Sequence, residues 1–432
     1  MNTPIYDFVK RYAQSDTERL HMPAHKGKCI LGCEPFDITE IKNADSLYEA
    51  DGIIKESEQN VSSLFGCPTF YSTEGSSLCI RAMLFLAKKH GVKKILAGAN
   101  AHKTFVQGCA LLDINVKWLY SENYLSLDIN PTQLEKAIKE SAPDALYITT
   151  PDYLGNLCDV KVIGKICEKY GVLFLVDCAH GAYLKFLPNS LYPTDLGAHM
   201  CCSSAHKTLP CLTGGAYLHV KNEEWATQAK DALALFGSTS PSYLILASLD
   251  KVNIFLNDGY KENLKGFIEK VENLKKKIRT NGYSLFEKEA LKITICTKAY
   301  GYSGTEFGEI LRSKGIEPEF CDNDFCVLML NVGNDLLKIE RALLSIKAKN
   351  PIILFPPTVK KRERVISAKE ALFSESEEID VKESLGRVVS EITIGCPPAV
   401  PLITCGEKID ETVIKCLTYY GIKIIKVIQQ GD

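Results

Sequence analysis

No run of apolar residues in this chain approaches the roughly 18 that a membrane-crossing helix needs, and no charge of one sign predominates. Lys and Arg number 51 against 53 Asp and Glu, a net charge of −2. That balance leaves no electrostatic footprint for nucleic acid or an anionic membrane surface. No C-x-x-C pair occurs among the 17 cysteines, so zinc-ribbon and thioredoxin-like spacings are absent and no metal site is expected. Cys109, Cys167, Cys201 and Cys202 stand inside apolar runs. Cysteine used as a small apolar filler in a reducing cytoplasm is the plain account, with no disulfide framework. The opening Met1-Asn2-Thr3-Pro4-Ile5-Tyr6-Asp7 lacks the basic and apolar regions of a signal peptide, which again leads to a cytoplasmic expectation. Neither an internal repeat nor a low-complexity linker is evident.

What the chain does have is length and an ordinary core. Its 432 residues, 46% hydrophobic and 24% charged, suit two or three domains of a globular protein. The expected divisions are an irregular arm over 1–50 after one helix near 4–14, a large domain over 51–285, a small α+β domain over 286–350, and a last segment over 351–432.

Between about 60 and 220 the pattern alternates. Leu78, Ala82 and Phe85 recur at helical spacing, predicting a helix over 78–89. Residues 94–97, 145–150 and 173–177 read as strands, with a helix over 161–170 stopped by Gly171. Apolar strands alternating with helices predict an α/β architecture, a mostly parallel sheet covered on both faces. Ligands of such sheets bind at the carboxyl ends of the strands, where Asp177, His102 and Thr150 are expected. Residues 245–280 read as helical, with Lys261, Lys265, Lys270, Lys275, Lys276 and Lys277 on a solvated face. Strands at 292–296 and 325–330 around a helix at 304–314 make up the small domain.

The chemistry concentrates at two strand ends. Asp177 closes an apolar run, and Lys207 follows 30 positions later in Ser203-Ser204-Ala205-His206-Lys207-Thr208. A lysine can hold the aldehyde of pyridoxal phosphate as a Schiff base, and an aspartate can keep the pyridine nitrogen protonated so that the ring accepts electrons. Such residues also occur as surface charges and turn caps, so the pair gains its meaning from its surroundings. Ser72-Thr73-Glu74-Gly75-Ser76-Ser77 precedes the 78–89 helix, where free N–H groups and hydroxyls form either a phosphate cup or a simple N-cap. His102 in a strand-end loop could stack on a cofactor ring. His180 could fix the aspartate, and His206 could move protons near the lysine. Thr213-Gly214-Gly215 fits a close approach of backbone to cofactor.

Taken together these motifs resemble the Orn/Lys/Arg decarboxylases of pyridoxal phosphate fold type I, in a short form without an N-terminal wing domain. The matching segments run nearly end to end: His21-Met22-Pro23-Ala24-His25-Lys26-Gly27, Asp37-Ile38-Thr39-Glu40, Asp51-Gly52-Ile53-Ile54, Ser203 to Pro210, Ser238-Thr239-Ser240-Pro241-Ser242-Tyr243, and Pro397-Pro398-Ala399-Val400-Pro401 with Gly406-Glu407.

The resemblance implies a fold-type-I large domain with small α+β C-terminal domains, pyridoxal 5'-phosphate as cofactor, and decarboxylation of a basic L-amino acid in polyamine metabolism. It implies that Lys207 carries the cofactor, Asp177 pairs with its ring nitrogen and His102 stacks on it. Gly75, Ser76, Ser77, His180, Ser204 and His206 should lie around it. Ser238 should reach a partner subunit's phosphate in a homodimer or higher homo-oligomer, and Glu407 should read the substrate's distal cation. Another fold-type-I reaction, aminotransfer or elimination, or a non-catalytic regulatory homologue, stays open beside it. Three departures from the family pattern stand out: Ala24 and Ala399 where glycine is usual, Cys178 in place of glutamate, and Glu74 in place of asparagine.

Overall fold

The structure is a computed structural model that describes residues 1–121, 128–286, 288–358, 361–396 and 400–430. Among the described residues, seven strands precede residue 221: β1 Thr69–Ser72, β2 Lys94–Gly98, β3 Asn115–Leu119, β4 Ala145–Thr149, β5 Leu173–Asp177, β6 Met200–Ser203 and β7 Ala216–Val220. Seven more follow: β8 Lys292–Cys296, β9 Phe320–Cys321, β10 Phe325–Met329, β11 Ser376–Asp380, β12 Thr393–Cys396, β13 Val400–Thr404 and β14 Ile424–Ile428. The chain divides into two compact units, each built from two stretches.

The first unit joins Met1–Val92 to Val160–Leu264. Its strands lie in the order β1-β7-β6-β5, with β5 and β6 parallel and β1/β7 and β6/β7 antiparallel. Every residue of β6 and β7 is buried, because helices cover a sheet of this kind on both faces. β5 reads as an almost continuous apolar run for the same reason. Beneath the sheet Phe65, fully buried, packs against Phe186, Tyr192, Tyr217 and His219 at centroid separations of 4.7 to 5.6 Å. The helices Ile53–Phe65, Gly75–Lys89 and Val160–Tyr170 belong to this unit.

His219 ties three strands together. Its Nδ1 lies 2.9 Å from Thr69 Oγ1 and its Nε2 3.3 Å from Ser203 Oγ, and burial pushes its pKa down to about 3. The unfolded imidazole titrates near ~6.5. Below that pH the unfolded chain takes up a proton that the folded chain refuses, so stability falls as pH drops from there towards about 3. Between pH 6.5 and 5 this group alone is expected to cost roughly 1.5 kcal/mol. Urea unfolding at the two pH values should show the wild type losing about 1.5 kcal/mol more than His219→Gln across that interval.

The second unit joins Lys93–Asp159 to Lys265–Asp432. It carries β4-β2-β3, all parallel, and the antiparallel sheet β8-β10-β9. A C-terminal cluster, Val389, Leu402, Ile403, Leu417, Ile425 and Val427 among others, packs around the pairs β11/β14 and β12/β13.

The 245–280 stretch is two helices, Tyr243–Asn257 and Tyr260–Thr280, broken at Asp258-Gly259. Its lysines are not uniformly solvated. Lys275 is 2% exposed and donates to the Glu289 carbonyl at 2.7 Å, with Glu272 at 3.3 Å. The sequence pattern also passed over β1, β3, β6 and β7. These are strands of four or five residues, and Met-Cys-Cys-Ser carries no strong β signature.

Candidate active site

Parallel pairing of β5 with β6 sets Asp177 opposite Cys202, so both strands deliver their carboxyl ends to the same edge. Asp177 is 2% exposed. Its Oδ1 accepts the Ala179 N–H at 3.0 Å and lies 3.7 Å from Cys202 Sγ. Burial, and after it the Asp177 charge, hold the Cys202 thiol protonated. From Asp177 the chain turns through Cys178 to Gly181, which brings His180 back over the edge. From β6 it passes through Ser204 into a single helical turn, Ala205–Thr208, which raises Lys207. The two meet: Lys207 Nζ lies 3.1 Å from His180 Nε2. His206 turns the other way, its Nδ1 2.9 Å from the Gly215 carbonyl, which fixes a proton on Nδ1 and leaves Nε2 as the acceptor.

The candidate anion cup is assembled from three segments. The helix Gly75–Lys89 begins three residues earlier than its apolar spacing predicts, so Gly75, Ser76 and Ser77 form its first turn. No side chain caps that end, and the first N–H groups of a helix have no partners within it. Ser204 Oγ donates to Ser76 Oγ at 2.8 Å, joining the lysine segment to the cup. Gly75 N–H donates to the Gly214 carbonyl at 2.7 Å. Gly214 has φ +102°, and a Cβ there would stand 2.6 Å from the Thr73 carbonyl oxygen. Only glycine permits that approach.

Glu74, one of the departures from the family pattern, is committed to a backbone amide. Its Oε1 accepts the Ser238 N–H at 2.7 Å. Ser238 is thereby tied to the Gly75–Lys89 helix start of its own chain. Tyr48 is held nearby, its pKa pushed up to about 12 by burial and then by the Glu74 charge. Neither contact was signalled by spacing, since the residues are far apart in sequence.

His102 belongs to the second unit, four residues beyond β2. It caps the helix Lys103–Leu111, its Nδ1 accepting the Thr104 N–H at 3.3 Å. Two residues before it, Asn100 is 8% exposed, and neither its Oδ1 nor its Nδ2 has a partner among the described residues. A buried amide left in that state marks a place where a further polar group belongs. The sequence carried no signal for it beyond its position at a strand end.

Glu407 requires a correction. It is 1% exposed, and Arg362 Nε lies 3.1 Å from its Oε2, while Arg364 Nη2 is 3.7 Å from Oε1. The Arg362 contact is a charge pair and not an aligned hydrogen bond, since Nε finds no donor geometry. Thr404 N–H also donates to Oε2 at 2.8 Å. Two guanidinium groups of the same chain already meet this carboxylate, so it is not a reader of a substrate's cation. Gly406, at φ +82° with a would-be Cβ 2.4 Å from the Ile366 carbonyl oxygen, turns the chain so that Glu407 points inward. Glu407→Gln should lower stability by about 3 kcal/mol, because it leaves Arg362 buried without its counter-charge. Urea unfolding measures the loss, while KM for substrate stays near its wild-type value. Pro397, Pro398 and Ala399 lie outside the described residues, and so does the Ala399 departure.

A mostly parallel sheet with a lysine and an aspartate at neighbouring strand ends, above an uncapped helix start, defines the fold-type-I class of pyridoxal phosphate proteins. The family profile described as "Orn/Lys/Arg decarboxylase, major domain" matches residues 3–300, and the chain belongs to that family of decarboxylases. Among relatives, the Bacillus subtilis (strain 168) "Uncharacterized protein YaaO" is 29% identical over 462 residues, covering 97% of this chain and 94% of its own. An arginine decarboxylase of Halalkalibacterium halodurans is 27% identical, covering 95% and 91%. The constitutive lysine decarboxylase of E. coli superposes with a TM-score of 0.78 at 18% identity, over 99% of this chain and 82% of its own. That last likeness is one of fold. Membership of the family points to decarboxylation of a basic amino acid and implies pyridoxal phosphate as the cofactor.

Proposed function

We propose that this chain decarboxylates one of the basic L-amino acids, arginine, lysine or ornithine, to the corresponding amine, using pyridoxal phosphate held at Lys207. The observation that carries the reading is the contact of Lys207 Nζ with His180 Nε2 at 3.1 Å, above a buried Asp177 and beside the uncapped helix start.

The residues present fit the cofactor. Ser76, Ser77 and Ser204 would hold its phosphate with the first turn of the helix Gly75–Lys89, and Gly214 keeps that loop tight. Lys207 would hold its aldehyde carbon and Asp177 its ring nitrogen. When bound, the cofactor supplies an electron sink for the pair left behind as carbon dioxide departs. Everything else is orientation and proton placement by the chain. Asp177, buried beside neutral thiols, would keep a proton on the ring nitrogen through its carboxylate. His180 Nε2, 3.1 Å from Lys207 Nζ, is placed to take a proton from the amine or return one to it. His206, with Nδ1 held by Gly215, presents Nε2 as a second acceptor. The Asn100 amide, two residues before His102 and without a partner among the described residues, supports a polar occupant in that loop of the second unit.

A homodimer in the cytoplasm, serving polyamine synthesis, completes the proposal. Exposed Leu20, Met22, Ile30 and Leu31 in the arm, 68 to 89% accessible, suit a surface that a second copy covers. The test supplies arginine, lysine and ornithine separately to purified protein and measures both carbon dioxide and amine. Equal release of the two from one basic amino acid supports the reading. A keto acid without carbon dioxide would instead establish aminotransfer.

A further inference from the structure

Cys321 and Cys326 stand opposite each other across β9 and β10, and their sulfurs lie 3.4 Å apart. The hairpin between them is tight. Asp322 N–H donates to the Phe325 carbonyl at 3.1 Å, which makes residues 322 and 325 a hydrogen-bonded pair. By the alternation of an antiparallel ladder, 321 and 326 are then a non-hydrogen-bonded pair, whose Cα atoms stand about 4.5 Å apart. That spacing falls within the range of disulfides, about 4.4–6.8 Å, near its short end. Closing the bond needs the sulfurs to approach by roughly 1.3 Å, a change that side-chain rotation can supply.

The surroundings favour reaction at one of the two. Cys326 is fully buried, while Cys321 is partly accessible. Contact with the Cys326 thiol holds the Cys321 thiol below its ordinary range, with the Arg312 guanidinium adding to the effect after burial opposes it. The pKa of Cys326 is pushed up, so the remaining S–H is its own. Gly308 on the helix Gly304–Ser313 leaves room for the sulfur, since a Cβ there would stand 2.6 Å from Cys321 Sγ.

We infer that Cys321 and Cys326 are a redox-modification site, closing to an intrachain disulfide when a peroxide-class oxidant is present. Cys321 thiolate attacks a peroxide oxygen, the O–O bond breaks, and Cys321 becomes a sulfenic acid as hydroxide leaves. Cys326 sulfur then attacks the Cys321 sulfur and displaces its oxygen, which departs as water with the Cys326 proton. Two thiols lose two electrons in all, and the peroxide is reduced to water. The bond would be open to reduction by thiol exchange. It would fasten the base of the turn whose Asn323 donates to the Tyr419 carbonyl at 3.0 Å and whose Asp324 accepts from Tyr419 Oη at 2.7 Å. The turn's grip on the helix Glu411–Tyr419 is thus next to the reacting pair.

Peptide mapping of the intact protein tests this without any variant. No lysine or arginine lies between 315 and 338, so trypsin releases both cysteines, and no others, on one peptide. After hydrogen peroxide and then alkylation, that peptide should carry no alkyl group and be about 2 Da lighter than its reduced form. Dithiothreitol before alkylation should restore both alkyl groups. In Cys326→Ser the same treatment should leave Cys321 as an oxygen adduct in place of the bond. Full alkylation of both cysteines at peroxide levels that oxidise the exposed Cys29 and Cys33 would overturn the inference. So would linkage of either sulfur to a different peptide, or conversion of Cys321 to a sulfinic acid with Cys326 still present.

Discussion

Lys207→Ala is expected to lower kcat/KM for decarboxylation by three or more orders of magnitude, a loss of about 4 kcal/mol in transition-state stabilisation. The size follows from the position. Lys207 stands on a single helical turn directly after β6, and its Nζ lies within hydrogen-bond distance of His180 Nε2, at 3.1 Å. Lys185, the nearest lysine in sequence to His180, is bound to Asp195 at 2.7 Å and so is not free to take over. The variant should still fold, because the side chain is not part of the packed core and the turn keeps its backbone bonds. Borohydride reduction of the wild-type protein, then peptide mapping, should place the pyridoxyl group on Lys207. An adduct on any other lysine, or an alanine variant with near-normal turnover, would remove the assignment.

Asp177→Asn is expected to bind cofactor and lose at least a hundredfold in rate, about 2.7 kcal/mol. Asparagine keeps the shape of the side chain and an oxygen to accept the Ala179 N–H now 3.0 Å from Oδ1. The local turn should therefore survive, and thermal unfolding should shift little. What disappears is the negative charge that, on the proposed reading, would keep a proton on the ring nitrogen and so its capacity to accept electrons. The effect should fall on kcat with little change in KM, since the substrate is held through other groups. A visible absorbance like that of the wild type, with activity reduced, is the expected pair of results. Activity near the wild-type level would instead make Asp177 a turn residue.

Much of the site could be read directly from local patterns. Asp177 at the end of an apolar run, Lys207 in its serine- and histidine-rich segment, and the small polar residues before the 75–89 helix all sit where short-range chemistry is decisive. The strands at 94–98, 145–149 and 173–177 announced themselves in the same way, by runs of branched and aliphatic residues. Where the local signal was weak, as in the Met-Cys-Cys-Ser of β6, the strand exists because it is sandwiched between β5 and β7. Tertiary context overrides propensity in such short segments.

The sequence by itself determined the chemistry available to this protein, because a lysine, an aspartate and a glycine-serine helix start are legible one segment at a time. Only the tertiary structure decided how charges and thiols were spent. It gave Glu407 two arginines from 43 and 45 residues upstream and so made it a buried structural carboxylate. It turned Glu74 towards Ser238, 164 residues away. It set Cys321 against Cys326 through strand register, a pairing that the absence of any C-x-x-C spacing had hidden. The physical reason is common to all three. An ionised or reactive side chain takes its properties from whatever partner and burial it meets, and those depend on elements brought together from distant parts of the chain.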